Sequence, residues 1–293
     1  MNKRKSDNKG QHYVPKSYLE AWCDKTTPST HEPYVWLFPK SGGKPINKAP
    51  RNVFKETDFY TVITQEGERD LHIENNLSRV ESNFITLRRN KLDRRIGSLS
   101  LNERVALCMF TMAMYGRTKS RAEQLTTHWG RIVELGDKTQ QTVEKMTPEA
   151  RKRMSIAFCE SQIDKNNERI SLDEARVIAE KPIQNSLSSI VTSGTDFLYQ
   201  VPFIILQATW PDRFITSDNP CCFFDGVGIG GMSSPTIEIT LPLSPSLLIF
   251  FGHYVAKEKM YVSAAREVVA HFNKRTKHFA DKYYVSNSLN CLY

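Results

Sequence analysis

The feature that most constrains the fold of this chain is the segment VALCMFTMAMY at residues 105–115, which is apolar nearly all round when placed on a helix. Ser100 precedes it and Glu103 follows three residues later, which is the spacing of a capping box and predicts a helix that begins at Ser100. A helix without a polar face belongs inside a core, so we expect other helices or a sheet to surround it. This helix should therefore be the most buried one of the protein.

Hydrophobic periodicity elsewhere predicts several more helices and a set of short strands. Apolar residues recur at three and four between residues 70 and 91, and further helices are predicted at residues 147–165, 171–191 and 264–282. Pro182 is expected to kink the helix in which it lies. Aromatic and β-branched runs predict strands at residues 34–38, 58–64, 203–207, 214–216, 237–241, 247–251 and 283–286.

This order of elements predicts an α+β fold. We expect a helix-rich core of roughly four to six helices, with a small mixed or antiparallel sheet that the C-terminal part mainly forms. Residues 1–11 are basic and almost without apolar side chains, which is typical of a flexible arm. Residues 12–293 should form one α+β domain, whose helical part covers about residues 68–192 and whose β-rich part covers about residues 196–293.

Composition narrows the classes of partner and compartment. The chain has 40 lysines and arginines against 32 aspartates and glutamates, a net charge of +8, so nucleic acid or another polyanion is the predicted partner. No apolar stretch approaches the roughly 20 residues of a membrane-spanning helix, and the basic N-terminus lacks the apolar core of a signal peptide. The six cysteines show no zinc-site spacing, so a cytoplasmic protein is predicted. The sequence leaves the oligomeric state open.

A histidine stands where the basic arm meets the predicted domain, in the motif QHYVP at residues 11–15. Histidine exchanges protons near neutral pH and binds metal ions as neutral imidazole. His12 is therefore a candidate general acid or base, with Tyr13 beside it as a candidate substrate contact. The alternative is a structural role, in which His12 caps the short helix that follows or packs under Trp22.

A second candidate group, Ser217, Asp218 and Asn219, follows a short apolar strand in the motif FITSDNP at residues 214–220. Strand ends present side chains to a site from a rigid element, which favours a functional role. Aspartate and asparagine also favour turns, and Pro220 holds the preceding residue extended. The alternative is therefore that these residues only form a corner.

Two carboxylates lie on the apolar stripe of the helix predicted at residues 70–91, because Glu74, Leu77 and Glu81 are spaced three and four apart. A carboxylate that faces a core requires a cation, a hydrogen-bond donor or a metal ion. Arg117, at the end of the apolar helix, is the nearest candidate cation, with Arg121 behind it. A structural ion pair between glutamate and arginine and a functional site fit this pattern equally well.

Five motifs follow one another along the chain: QHYVP with the YL pair at residues 18–19, DFYT at 58–61, GRT at 116–118, FITSDNP at 214–220 and PLSP at 242–245. In this order and spacing, from residue 11 to about residue 286, the chain resembles the domain-of-unknown-function family 4238. The resemblance implies a common fold but no reaction. It adds weight to six positions: His12, Glu74, Glu81, Arg117, Asp218 and Asn219. Lys16 departs from the glutamine or arginine that is usual after HYVP.

Together these residues lead to the hypothesis of a nuclease-like hydrolase of the bacterial or phage-conflict type, acting on nucleic acid or another phosphate-containing substrate. Asp218 with Glu74 or Glu81 would hold Mg²⁺ or Mn²⁺, because these hard cations prefer oxygen ligands. His12 would transfer protons and Arg117 would grip phosphate with its planar guanidinium, beside Asn219. Further substrate contacts are predicted at Tyr13, Ser217, Arg88, Arg89 and Arg121.

The competing hypothesis is a non-catalytic binding or regulatory module. In that case the same polar residues form a buried ion-pair network, and the basic clusters bind nucleic acid. The catalytic hypothesis requires His12 and Asp218 to lie on the walls of one cleft, within about 10 Å of each other.

Overall fold

The computed structural model describes residues 10–160, 170–226, 231–255 and 259–289. Within these ranges the chain is an α+β protein, as the sequence predicts. It divides into two compact units, Met1–Arg121 with Leu187–Tyr293 and Ala122–Ser186. Both larger sheets belong to the first unit, and the described residues of the second unit are mainly helical. A single domain over residues 12–293 stays a prediction.

The described residues contain eight α-helices. They are α1 (Lys16–Leu19), α2 (His72–Leu87), α3 (Leu101–Gly116), α4 (Lys119–Glu144), α5 (Pro148–Glu160), α6 (Leu172–Glu180), α7 (Pro182–Gln200) and α8 (Arg266–Phe279). A π-helical turn, Arg88–Leu92, continues α2.

Helix α3 has the position that its apolar sequence requires. The side chain of Ser100 accepts from the N–H of Glu103, and the carboxylate of Glu103 accepts from the N–H of Ser100, which completes the predicted capping box. Its buried residues include Leu107, Cys108, Phe110, Thr111, Met112, Ala113, Met114 and Gly116. Burial on several sides therefore keeps the apolar surface of this helix away from water.

Aromatic stacking joins α3 to α2. The rings of Phe84 and Phe110 lie parallel with centroids 3.7 Å apart, and Tyr18 of α1 packs against Phe110 at 5.9 Å. The Tyr18 hydroxyl donates to the Pro242 carbonyl at 2.6 Å, and it accepts from the Thr216 hydroxyl at 2.7 Å because it has a single proton. Three sequence-distant motifs therefore meet at one buried tyrosine.

One helix prediction differs from the structure, and another is only partly covered by the described residues. The helix predicted at residues 171–191 is two helices, because α6 ends at Glu180 and α7 begins at Pro182 instead of being kinked there. Proline favours the first turn of a helix, where its missing N–H needs no partner, so it starts α7. The helix predicted at residues 147–165 is α5, which ends at Glu160, and its last predicted residues lie outside the described ranges.

The larger sheet comes wholly from the C-terminal part and is mixed, as predicted. It consists of β7 (Phe203–Ala208), β9 (Cys222–Asp225), β10 (Ile237–Ser244), β11 (Leu247–Gly252) and β12 (Tyr261–Ala264). The order is β12-β7-β11-β10-β9, with β12 and β7 parallel and the other neighbours antiparallel. Every residue of β11 is buried, so this strand lies inside the core.

A second, antiparallel sheet joins the two ends of the chain. It consists of β2 (Val35–Pro39), β3 (Ile46–Lys48), β8 (Thr216–Ser217) and β13 (Tyr283–Ser286), in the order β3-β2-β13-β8. Gly42 and Gly43, with φ of +87° and +119°, form the turn between β2 and β3. The sequence predicted strands at the positions of β2, β8 and β13 but not at β3, and it did not predict how the strands pair across the chain.

Two short pairs of strands complete the fold. They change two boundaries that the sequence predicted. They pair β1 (Gly10–His12) with β4 (Lys55–Thr57) and β5 (Val62–Ile63) with β6 (Arg69–Asp70). The strand predicted at residues 58–64 is mostly a turn, in which Asp58 has a φ of +53° and its carbonyl accepts from Thr61. The predicted arm lies mainly outside the described residues, but its last two residues are in β1 and Gln11 is fully buried.

A search of the described helices finds none that is both long enough and apolar enough to cross a membrane.

Phe110→Ala should lower the free energy of unfolding by about 3–5 kcal/mol, through lost burial and a cavity opposite Phe84. Urea denaturation of the variant and of the parent protein measures this difference. Phe224→Ala, at a side chain that is 41% exposed, is the control and should cost much less. If Phe110→Ala unfolds at the same urea concentration as the parent, α3 is not the centre of the core.

Candidate functional site

Gln11 is the buried polar centre of the QHYVP motif. Its Nε2 donates to Thr61 Oγ1 at 2.9 Å and to a carboxylate oxygen of Glu74, and its Oε1 accepts from the N–H of Tyr60. Gln11 itself lies in β1, and the groups to which it bonds belong to the DFYT motif and to α2. Gln11 therefore fixes the backbone of β1, from which the neighbouring His12 side chain projects.

His12 lines a cavity of about 130 Å³ together with Gln11, Lys16, Tyr60, Glu74, Glu81 and Arg117. Its Nε2 is buried without a hydrogen-bond partner among the described residues. Burial lowers the pKa of His12 below 6.5 and outweighs a backbone hydrogen bond at Arg51, which raises it. The imidazole is therefore neutral at pH 7, with one nitrogen available to a ligand.

Arg117 is a structural cation in this arrangement. It is 3% exposed, its Nη1 donates to Glu81 Oε1 at 2.6 Å, and its Nη2 donates to the carbonyl of His12. The hydroxyl of Tyr60 donates to the Arg117 carbonyl at 2.6 Å. Burial by itself lowers the pKa of Arg117, but Tyr60 and Glu81 raise it above the usual value. Both Nη groups already bind the protein, so the prediction that Arg117 grips phosphate is not supported by this geometry.

The TSDNP segment forms a corner whose carboxylate is held by backbone amides. Asp218 Oδ1 accepts from the N–H of Asp281 at 2.7 Å, and Oδ2 accepts from Lys282 and Tyr283 at 2.7 and 2.9 Å. Burial raises the pKa of Asp218 and these three hydrogen bonds oppose the rise. Both carboxylate oxygens therefore hold the chain segment that enters β13.

The neighbours of Asp218 have similar structural partners. Asn219 Nδ2 donates to the carbonyl of Phe279 at 3.0 Å, the last residue of α8, and its N–H donates to Ser217 Oγ at 3.1 Å. Ser217 is fully buried in β8. In the fold, these three side chains therefore form a corner, which is the structural alternative given for this motif.

His12 and Asp218 line different cavities. Asp218 lines one of about 180 Å³ with Tyr13, Lys119 and Lys282, whereas His12 lines the smaller cavity described above. Successive side chains of an extended chain point to opposite sides, which separates His12 from Tyr13. Burial raises the pKa of Tyr13, and the charge of Asp218 raises it further. The prediction of one cleft is therefore corrected to two cavities.

The predicted metal group is corrected for the same reason. The described residues contain no group of three or more His, Cys, Asp or Glu side chains that could hold a metal ion. Glu74 is bound by Gln11, Glu81 by Arg117, and Asp218 by three backbone amides. A requirement for Mg²⁺ or Mn²⁺ stays a prediction, but Asp218 does not line the cavity that Glu74 and Glu81 share.

A third cavity, of about 920 Å³, is much larger than the other two and is lined by the buried Arg88. From the sequence, this arginine was predicted only as a substrate contact. Arg88, at the start of the π-helical turn, is 5% exposed, and its Nε and Nη1 have no hydrogen-bond partner among the described residues. Asp93 is 3.8 Å from Nε, which is too far for a hydrogen bond. Burial lowers the pKa of Arg88 from its usual value, and Asp93 opposes this. The Arg88 cavity therefore contains a desolvated cation with unused donors.

The other walls of the Arg88 cavity are aromatic and polar. Trp36, Trp210, Lys25, Arg213, Ser244 and Asn287 all line it. The indole N–H of Trp36 donates to Asp24 at 2.8 Å, and the guanidinium of Arg213 lies 4.6 Å from the ring centroid of Trp210. Three cations and two carboxylates, those of Asp24 and Asp93, line the cavity, so its charge is positive. Ser244 belongs to the PLSP motif, which places one of the five motifs on its wall.

Arg89 and Arg121 do not line the Arg88 cavity. Arg89 is exposed, because the next position of the turn points away from the core, and Arg121 lies over the ring of Tyr115 at 4.8 Å. The sequence did not mark Gln11, Trp36 or Trp210 as candidate site residues. Gln11 appeared only as one member of the motif QHYVP, and an isolated tryptophan followed by proline, such as Trp210, gives no periodic signal.

These observations define an α+β protein with a tightly bonded polar network and one large, positively charged cavity. The chain belongs to the family described as protein of unknown function, DUF4238, whose model matches residues 10–289. None of the curated proteins compared with the chain matches it, and no solved structure matches it.

Asp218→Ala should lower the free energy of unfolding by about 1–3 kcal/mol, because three backbone amides lose their acceptor at a partly buried contact. Chemical denaturation measures the change. Asp281→Ala is the matched control, since that exposed side chain lies in the same loop and its removal leaves both acceptor oxygens of Asp218 in place. An Asp218→Ala protein as stable as the parent contradicts the structural role.

Proposed function

We propose that the protein binds nucleic acid or another phosphate-containing polyanion, and that the Arg88 cavity receives one phosphate group. The observation that supports this most directly is the unused donor capacity of Arg88. A buried guanidinium without acceptors costs free energy, and structures retain such a group where a ligand completes it.

Charge and shape favour the same class of ligand. Arginine is suited to phosphate because its planar group donates several hydrogen bonds at fixed angles. The cavity volume of about 920 Å³ lies within the usual range of ligand sites, about 300–1,000 Å³. The net charge of +8 adds a general attraction for polyanions that steers them to the surface.

The polar residues that suggested catalysis support the binding function instead of opposing it. Arg117, Glu81 and Asp218 are held in hydrogen bonds within the protein, which is the buried network that the binding-module hypothesis requires. Such hydrogen bonds stabilise the fold without contacting a ligand. Arg88 differs from Arg117 because two of its nitrogens, Nε and Nη1, have no partner within the described part of the chain, whereas Arg117 lacks one only at Nε and is bound through both Nη groups.

Arg88→Met should weaken the binding of a fluorescein-labelled oligonucleotide by at least about tenfold, the loss expected for a charged hydrogen bond of about 1.5–3 kcal/mol. The free variant should be as stable as the parent or more stable, because a desolvated charge is replaced by an apolar chain of similar length. Fluorescence anisotropy and urea denaturation measure the two quantities.

Arg89→Met is the matched control, since it removes the same charge from the exposed neighbouring residue. It should change affinity only slightly and mainly through the salt dependence. Equal losses in both variants contradict a site at Arg88 and leave only general attraction. An Arg88→Met protein that fails to fold also contradicts the proposal, because Arg88 is then a structural group.

Hydrolysis of the bound polyanion is the second candidate function, and one observation favours it. The Nε2 of His12 is buried, unpartnered among the described residues and on a neutral ring, which is the state required of a general base. Glu74, Glu81 and Lys16 line the same cavity. Mg²⁺ or Mn²⁺ belongs to this candidate as a requirement to be tested by adding the ions or EDTA.

If His12 is the base, its lowered pKa sets the sign of the pH dependence. The neutral form dominates above pH 6.5, so cleavage of a labelled oligonucleotide should be constant there and should fall as the pH drops through the pKa of His12 below 6.5. His12→Asn should lower the cleavage rate about 10²–10⁴-fold. Unchanged cleavage in His12→Asn, or none in the parent, rejects this candidate without affecting the binding proposal.

A further inference from the structure

The chemistry of the Arg88 cavity narrows the polyanion to one class, an inference that rests on the proposed binding function. We propose that its ligand is single-stranded nucleic acid, with one unpaired base stacked on the ring of Trp210 and an adjacent phosphate at Arg88. Both side chains line the same cavity, which brings an aromatic surface and a desolvated cation together.

Trp210 is the first observation that points to a base. Its side chain is 81% exposed, the largest fraction given for any large hydrophobic residue in the described ranges. Tryptophan is usually well buried, because its large apolar ring gains from leaving water. An exposed indole at the rim of a charged cavity is therefore a surface on which a planar group of a ligand gains free energy by stacking.

The Trp210 ring is also held in place before a ligand arrives. The guanidinium of Arg213 lies 4.6 Å from its centroid, and Nη1 of Arg213 donates to the carbonyl of Asp212 at 2.7 Å. Arginine over one face of the indole leaves the opposite face for a base. An ordered ring loses little conformational freedom on binding, which favours affinity.

A second aromatic wall is fixed in the same way. Trp36 donates its indole N–H to Asp24, which also accepts from the N–H and hydroxyl of Thr26. The ring of Tyr34 meets Trp36 edge to face at 5.5 Å. The carboxylate of Asp24 therefore already accepts hydrogen bonds from Trp36 and Thr26. These hydrogen bonds partly compensate its negative charge where a phosphate chain approaches.

Single strands fit these walls better than duplexes. In a duplex both faces of every base are already stacked, and the bases cannot reach a protein ring without being extruded. An unpaired base presents a free face and an edge. Polar groups such as the side-chain amide of Asn287 on the cavity wall can contact that edge, and the basic residues contact the backbone.

The test compares four probes that all carry deoxyribose phosphate. A short fluorescein-labelled oligothymidylate, an abasic deoxyribose-phosphate oligomer of the same length, and the matching duplex are titrated by fluorescence anisotropy, and thymidine monophosphate is added as a competitor. We expect the oligothymidylate to bind roughly 5- to 100-fold more tightly than the abasic oligomer, the range for one stacked base. The duplex should bind no better than the abasic oligomer.

Variants assign this difference to Trp210. Trp210→Ala should remove the advantage of the oligothymidylate over the abasic oligomer, while Trp210→Phe should retain most of it because a ring remains. Trp129→Ala, which changes a tryptophan of α4 that does not line the Arg88 cavity, is the control and should have no effect. The parent should also show quenching of tryptophan fluorescence by the oligothymidylate, reduced in Trp210→Phe.

The outcomes separate the two proposals. Equal, Arg88-dependent binding of abasic and base-containing oligomers overturns the stacking inference and leaves the polyanion proposal standing. Competition by thymidine monophosphate at the affinity of the oligomer shows that the ligand is a mononucleotide and also overturns the single-strand assignment. Absence of binding to every probe overturns both proposals, and an unchanged preference in Trp210→Ala overturns the role of this residue.

Discussion

The architecture of the first unit depends on the hydrogen bonds that one buried carboxylate accepts. Asp218 binds the amides of Asp281, Lys282 and Tyr283 at the entry to β13, and β13 lies between β2 from the start of the chain and β8. A buried carboxylate requires several donors, so the three hydrogen bonds to Asp218 cannot be lost without a cost in free energy. The contact closes a sheet in which the paired strands β2 and β13 are more than 200 residues apart in sequence.

The same requirement explains why the motif residues that suggested a reaction are mostly engaged in structure. Gln11 binds Thr61 and Glu74, Tyr18 binds Thr216 and Pro242, and Arg117 binds Glu81 and the carbonyl of His12, so all five motifs are tied together by side-chain hydrogen bonds. Arg88 and the His12 imidazole each retain buried nitrogens without partners in the described part of the chain, and each lines a cavity. Arg117 also has a buried Nε without a partner, but both of its Nη groups are bound within the protein. Unused hydrogen-bonding capacity on a cavity wall therefore marks Arg88 and His12 as the candidate ligand contacts.

The sequence predicted a helix correctly where a single local pattern determines it. The capping box at Ser100 and the apolar run behind it placed α3, and the three–four periodicity placed α2. The prediction was wrong at two places. Pro182 was expected to kink a helix but begins α7, and the aromatic run at residues 58–64 forms a turn because Gln11 takes the amide of Tyr60.

The sequence by itself determined the α+β class, the central helix, the excess of positive charge and the list of polar residues that the motifs contain. These follow from periodicity, capping and composition, which act over a few residues or over the whole chain. Only the tertiary structure decided that His12 and Asp218 line different cavities and that Arg88 lacks acceptors beside Trp210. Whether a polar side chain is satisfied depends on groups from distant segments, and the sequence does not say which segments meet.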